Sequence, residues 1–470
     1  MANYSNIIHG PLTLFQLVFG AAIMYFFASE SDQFEFLSYF SLHPVTTIGA
    51  WMAFYGSIIT IIFPHKILPM IVMVVGFLLY SAGKFPSVSN HHIMELFFCI
   101  GFLCAWLKLI IKRQSLTLNK DDLYQLVAPI GRSLLIIMYI YGTFHKINSD
   151  FLNPEVSCAV HLWKHFHYMP AWMLEAKWIH WATIYGTLII EGLALILLCF
   201  ARTSYYGMVM GMLFHFLIGT NGAHTLVNYS TLSISLHVLF LAPDALNRFY
   251  QSNLYTRLHK PLLWWYGYAF ILCFSALYFI HQWPLIGRLV LWCFIGGSWI
   301  LFAILYGKKQ SYHSRTTIGY LWPKSIVGAI LIIGFFFNGL NPYIGLKTES
   351  AIAMFSNLQT ENGQTNHLFF DKPPYLFDFQ NDIVVMTHTT DPVMGNFFIG
   401  PNIAITYSQM KNWFSQHPDN GVVYWDESGK QHIIENIRNH PDLSKPYPWL
   451  LQKWLYFRPV NLTTPRPCTH

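Results

Sequence analysis

Apolar runs of roughly 17–23 residues recur from His9 to Leu340, and no other feature restricts the fold of this chain so strongly. A helix rising 1.5 Å per residue crosses a hydrocarbon core of ~30 Å in about that length. Inside lipid every backbone N–H and C=O needs an internal partner, so such runs are read as helices. The runs place spans near 9–28, 46–63, 67–83, 91–111, 127–146, 178–200, 204–222, 226–241, 262–280, 285–306 and 323–341. After Pro342 the character changes. Charged residues, Pro, Asn and His become frequent, and no further spanning run follows. The expectation is an all-α polytopic membrane bundle of about eleven transmembrane helices over 1–342, followed by a small extracytoplasmic α+β domain over 343–470.

Composition agrees with a bilayer as solvent. Hydrophobic residues make up 54% of the chain and charged residues 11%, whereas soluble domains run near a quarter charged. The net charge of +6 is not a nucleic-acid signal, because Lys and Arg sit in short loops between apolar runs and no basic patch interleaves with aromatics. Those loops set the expected orientation. Lys108, Lys112, Arg113 and Lys120 mark one loop as cytoplasmic. Arg202, then Arg248, Arg257 and Lys260, then Lys308, Lys309, Arg315 and Lys324 mark the alternate loops after it. The loops at 220–226 and 281–287 carry no Lys or Arg, and the loop at 29–45 carries Glu30, Asp32 and Glu35. The pattern puts the N-terminus inside and the C-terminus outside, with Lys84, a single charge in its outer loop, the mild exception. The N-terminus has no positively charged region or small-residue cleavage site, so the first run is expected to persist as a helix.

Beyond the spans, residues 147–177 form an outer loop rich in Trp and Tyr, suited to the lipid–water interface. In the C-terminal region "DIVVMTH" reads as a strand and "VVYWDESGKQHII" as a hairpin turning at Gly429. "YSQMKNWFSQ" and "PWLLQKWLYF" read as amphipathic helices. Five cysteines fall in apolar runs; Cys158 and Cys468 alone fall in aqueous segments on the expected oxidising side, where they can pair or remain free thiols. Cys158, His161 and His165 share a helical face at metal-binding spacing. With 22 His in the chain, chance explains that spacing, and no metal is expected.

Ionisable groups inside a bilayer cost ~2.5–3.5 kcal/mol each, so each demands an explanation. Arg132 and Lys146 on the fifth span, Glu191 on the sixth, His215 on the seventh and His237 on the eighth stand out. Arg132, Tyr139 and Lys146 recur at sevens, on one stripe expected to face the bundle interior. By rise per residue, Glu191 lies roughly 13 Å and His215 roughly 16 Å from the inner ends of their spans, near mid-membrane; Arg132 and His237 lie roughly 7 Å deep. Glu191 with Arg132 or His215 reads either as a structural pair that fixes helix packing or as part of a proton-transfer or ligand site. Lys146 reads as a snorkelling interfacial lysine with Asp150 as partner, or as part of a site.

The string "GTFHKINSDFLNPEVS" resembles the one around the catalytic lysine of vitamin K-dependent γ-carboxylase and of the wider horizontally transferred transmembrane (HTTM) family. The residues carrying the resemblance are Gly142, Lys146, Ile147, Asn148, Asp150 and Phe151. "IIEGLALIL" and "LFHFLIG" are similar to that family where a Glu and a His, here Glu191 and His215, fall at those places. "YIGLKTESAIAMFSNLQTENGQTNHLFF" is similar to a string in bacterial members. The resemblance covers roughly residues 10–310. It implies a bacterial inner-membrane protein in which Lys146 is the base that deprotonates a reduced, vitamin K-like quinone at the outer face. Oxygen then adds, and the strong base so produced removes a carbon-bound proton from a glutamate, which captures CO2. Glu191 and His215 would join Lys146 in catalysis, with Arg132, Tyr139, Gly142 and Asp150 around the substrate. Gly142 would leave room for a flat ring against the backbone. A lysine acts as a base only through its neutral amine, which burial favours and a helix C-terminus opposes. The chain is shorter than the carboxylase and lacks a segment resembling its propeptide-recognition region. The second reading is therefore a non-catalytic membrane protein that binds lipid or assists assembly or export of an outer-side protein partner.

Overall fold

The computed structural model describes residues 10–29, 44–114, 119–221, 224–257, 261–281, 284–308 and 320–468. The acidic loop with Glu30, Asp32 and Glu35 lies outside the described residues, as do Lys260, Lys309 and Arg315. The helices in chain order are α1 (Pro11–Ser29), α2 (Pro44–Ile62), α3 (Leu68–Lys84), α4 (Asn90–Arg113), α5 (Lys120–Phe144), α6 (Cys158–Lys164), α7 (Ala171–Leu174), α8 (Lys177–Cys199), α9 (Ser204–Gly219), α10 (His224–His237), α11 (Ala245–Tyr250), α12 (Asn253–Thr256), α13 (Pro261–Ile280), α14 (Leu285–Tyr306) and α15 (Ile326–Ile344). Eight of these are long and apolar enough to cross a membrane, and three shorter apolar helices, at 68–84, 204–219 and 226–240, fall where the other expected spans lie.

Local chemistry sets the ends. α5 starts at Lys120, not at the expected 127, because its first turn is built for water. Asn119 Oδ1 accepts from the Asp121 amide at 2.9 Å, and Asp121 and Asp122 sit where the helix dipole favours anions. α5 ends at Phe144, so Lys146 follows the helix rather than continuing the Arg132–Tyr139 stripe on it. The expected stripe of three is corrected to two.

The described residues fall into two compact units. The first draws on Met1–Lys84, Met94–Ile140 and Ile189–Phe335. Its small-residue seams let helices approach closely: a Cβ on Gly49 would meet the Tyr80 amide and Gly76 carbonyl, fixing α2 against α3.

The second unit draws on Phe85–Ile93, Tyr141–Leu188 and Phe336–His470. It contains a five-stranded antiparallel sheet in the order β4-β3-β1-β2-β5. The strands are β1 (Ile383–Thr389), β2 (Ile403–Thr406), β3 (Val422–Trp425), β4 (Gln431–Ile434) and β5 (Val460–Asn461), with helices α16 (Pro392–Phe398), α17 (Tyr407–Phe414) and α18 (Trp449–Trp454). The expected hairpin forms: Trp425 pairs with Gln431, and Gly429 takes the left-handed φ of 78°. Asp426 holds the turn by accepting from the Ser428 and Lys430 amides, both at 3.0 Å. Thr406 caps α17 through the Gln409 amide at 3.2 Å. Met386, Met394, Ile405, Met410, Phe414 and Tyr424 pack between sheet and helices. Cys158 and Cys468 form a disulfide with Cα atoms 4.9 Å apart, which removes Cys158 from any metal set. No cluster of metal-ligating residues occurs among the described residues.

Candidate functional site

The Lys146 turn belongs to the second unit. As α5 ends, the chain tightens: the His145 amide bonds to Tyr141 O at 2.9 Å, the Lys146 amide to Thr143 O at 3.1 Å and the Ile147 amide to Phe144 O at 3.1 Å. Lys146 is only 7% exposed. A snorkelling lysine would reach water, so burial favours the reading in which this residue belongs to a site. Gly142 lies in the last turn of α5, partly exposed.

A clasp from the C-terminal region grips this turn. Asn148, fully buried, donates to His145 O at 2.7 Å and Ser356 O at 2.6 Å, and its Oδ1 accepts from the Phe151 amide at 2.8 Å. Asn366 Nδ2 donates to Asp150 Oδ2 at 2.8 Å and to Asn357 O at 2.7 Å. The backbones pair through an isolated antiparallel bridge, Asn148 with His367. His367 Nε2 faces Phe144 O at 3.0 Å. Donors thus satisfy the carbonyls of Tyr141, Thr143, Phe144 and His145.

The clasp is itself held. Ser350, Ile352, Phe355, Asn357 and Asn362 all have positive φ, sparsely populated for residues with a side chain and a store of strain at each. Asn357 caps α6 by accepting from the Cys158 amide at 2.7 Å, beside the disulfide. Glu361, 1% exposed, pairs with Arg458 at 3.1 Å and Arg466 at 3.9 Å. Burial would raise its carboxyl pKa, but the two guanidiniums and a backbone amide outweigh it and hold the group below its ordinary value.

Polar atoms without hydrogen-bond partners gather at this end of α5. Tyr141 Oη, Thr143 Oγ1, His145 Nε2 and Tyr343 Oη are all buried and unpaired. Tyr141 and Tyr343 flank the His145 ring at 5.2 and 5.4 Å, and Phe144 and Phe370 pack on Tyr343. Burial pushes the His145 imidazole down to about 3, so the ring is neutral. Its Nδ1 donates to Ile352 O at 3.1 Å, and the Gly339 backbone also acts on the ring. Buried polar groups seldom lack partners. Aromatic rings, tyrosine hydroxyls and an imidazole thus meet at this end of α5.

The first unit carries a separate polar core. Tyr139 Oη on α5 lies 3.1 Å from His215 Nε2 on α9 and 3.2 Å from His237 Nε2 on α10. His237 Nδ1 is anchored on Ser233 O at 2.7 Å. Gly211 makes this possible, since a Cβ there would run into His237 Nε2 and Tyr139 Oη. Glu191, 7% exposed on α8, acts electrostatically on Tyr139 and Tyr229. Arg132 does something else. It donates to Leu239 O through Nε at 2.8 Å and Nη2 at 2.6 Å, and to Tyr320 O at 3.2 Å. It also lies over the Phe240 and Tyr320 rings, which marks it as a packing clamp.

Sequence reasoning missed His145, Tyr343 and the clasp residues Asn357 and Asn366, and used Asn148 only as part of the family string. For Asn357 and Asn366 the signal was the run of asparagines after Ser356, a residue type tolerant of left-handed turns. No family model matches the chain, and no curated protein or solved structure matches it either.

Proposed function

We propose that this chain is a membrane enzyme of the vitamin K-dependent carboxylase-like, HTTM kind, acting on a reduced lipid quinone at the outer face of a bacterial inner membrane. The observation that carries the reading is the buried Lys146 on the turn that ends α5, close in the chain to the buried His145 ring, on which Tyr141 and Tyr343 pack. In this reading Lys146 takes a proton from a quinol hydroxyl, and the neutral His145 and the two tyrosine hydroxyls orient the ring. Quinol is the reductant and oxygen the oxidant. Asp150 acts as a positioning residue, its Oδ2 accepting from Asn366 Nδ2. Glu191 and His215, on the separate polar core, are proposed to carry protons to or from the reaction. The test supplies the intact protein in nanodiscs with a panel of reduced quinones and follows oxygen uptake. Turnover of at least one is the expected result. If none is turned over, the lipid-binding or assembly reading takes its place.

A further inference from the structure

The first unit contains a cleft of about 350 Å³ that the quinol reading does not use. It opens at one set of helix ends: Leu14 near the start of α1, Pro261 at the start of α13 and Tyr306 at the end of α14 all line it. α11 and α12 lie across this end. Arg248 on α11 donates to Tyr306 O at 3.1 Å, and the Phe249 ring packs on Tyr306 at 5.4 Å.

From there the cleft runs inward along α13 and α14 as far as Tyr268 and Ser298. At 1.5 Å per residue these lie roughly 10 and 12 Å from their helix ends, well inside the depth of a hydrocarbon core. Its sides are open to the lipid-facing surface, since Leu254, Leu301 and Leu305 are each 56% exposed. The walls are apolar or aromatic apart from a few hydroxyls. At the deep end the Tyr268 and Ser298 hydroxyls bond each other at 2.8 Å, and Ser298 also donates to Ile295 O at 2.7 Å. Those hydroxyls are satisfied, so the deep end rewards only apolar surface. A ligand therefore enters tail first, with its head at the helix ends.

The charge there is basic. Arg257 directly follows α12 and Lys308 follows α14 by two residues; both are exposed, Lys308 with Nζ 5.6 Å from the centre of the Tyr206 ring, while Asp244 is held by Arg248 at 2.6 Å. Near a membrane surface such bases attract anionic lipid. We propose that this cleft holds one acyl chain of an anionic phospholipid, with its phosphate at Arg257 and Lys308.

The test uses the full chain in nanodiscs with a phosphatidylglycerol carrying a photoreactive diazirine near its chain end, and with the matching phosphatidylcholine. Adducts are mapped by mass spectrometry. Phosphatidylglycerol is expected to label Trp264 and Phe302 several-fold above the lipid-facing Ile286 and Ile326. Phosphatidylcholine is expected to show a weaker preference. Leu305→Trp, a change on the exposed rim that leaves packing intact, should remove the cleft adducts and spare Ile286 and Ile326. Lys308→Glu should erase the headgroup preference. Equal labelling of cleft and lipid-facing residues, or cleft labelling unchanged by Leu305→Trp, overturns the proposal. So does equal labelling by the two lipids. Displacement by an isoprenoid quinone but not by added phosphatidylglycerol also overturns it, and assigns the cleft to a quinone tail.

Discussion

Replacing Lys347 by Met should stabilise the second unit, and the gain should depend on pH in a way the structure dictates. Lys347 follows α15, is 1% exposed, and lies with Nζ 4.0 Å from the centre of the Trp454 ring. Burial pulls its amine from 10.5 down to about 7, with Glu349 pulling weakly the other way. The unfolded chain therefore binds a proton between those two values that the folded unit does not, so wild-type stability rises with pH across the window. At ~1.36 kcal/mol per pH interval, the folded state carries a cost of roughly 5 kcal/mol below pH 7. Lys347→Met keeps the length and apolar bulk and removes the charge. It should gain up to roughly 5 kcal/mol at pH 6, a constant gain below pH 7 that declines steadily above it and is gone near pH 10.5. The assay is thermal unfolding of both proteins in detergent from pH 6 to 9.5, read as the difference in Tm. A difference that is flat across pH, or that grows on the alkaline side, refutes the argument from burial of the ammonium.

Asn148→Ala removes four hydrogen bonds from a fully buried side chain and should cost about 2–4 kcal/mol; hydrogen exchange should quicken at 145–152 and 356–368 together. Gly211→Ala drives a methyl into His237 and Tyr139 and should cost about 1–3 kcal/mol in thermal stability, whereas Gly297→Ala, with open space around it, should be neutral. Trypsin cutting after Lys430, exposed in the hairpin turn, should release the C-terminal fragment that carries Cys468 only after reduction, because the Cys158–Cys468 bond holds it; release without reductant would contradict the pairing.

The spans were legible because lipid imposes length and apolarity on every crossing segment, and both are local properties. The C-terminal hairpin was legible for a similar reason: Gly429 and Asp426 carry their turn chemistry within the segment. The start of α5 was not, because hydropathy is blind to the water-facing turn that Asn119, Asp121 and Asp122 build. The helical period of seven linked Lys146 to Tyr139 only on the assumption of unbroken helix, and the chain leaves the helix at His145. Depth arithmetic set Arg132 level with His237, but depth does not choose partners: Arg132 takes the Leu239 carbonyl, while His237 takes Tyr139. The clasp was the least accessible part. It joins asparagines more than two hundred residues apart, 148 and 366, and nothing local to "GTFHKINSDF" reports what folds over it.

The most direct test of the base assigned to Lys146 is the oxygen-uptake rate of Lys146→Met on whichever reduced quinone the wild type turns over. The variant keeps the length and apolar packing of the side chain and lacks only the amine. With the Cys158–Cys468 bond intact as a check on folding, uptake should fall to the rate without enzyme, and neighbouring Asp150→Asn should retain activity. A Lys146→Met protein that folds and consumes oxygen at the wild-type rate would contradict the account.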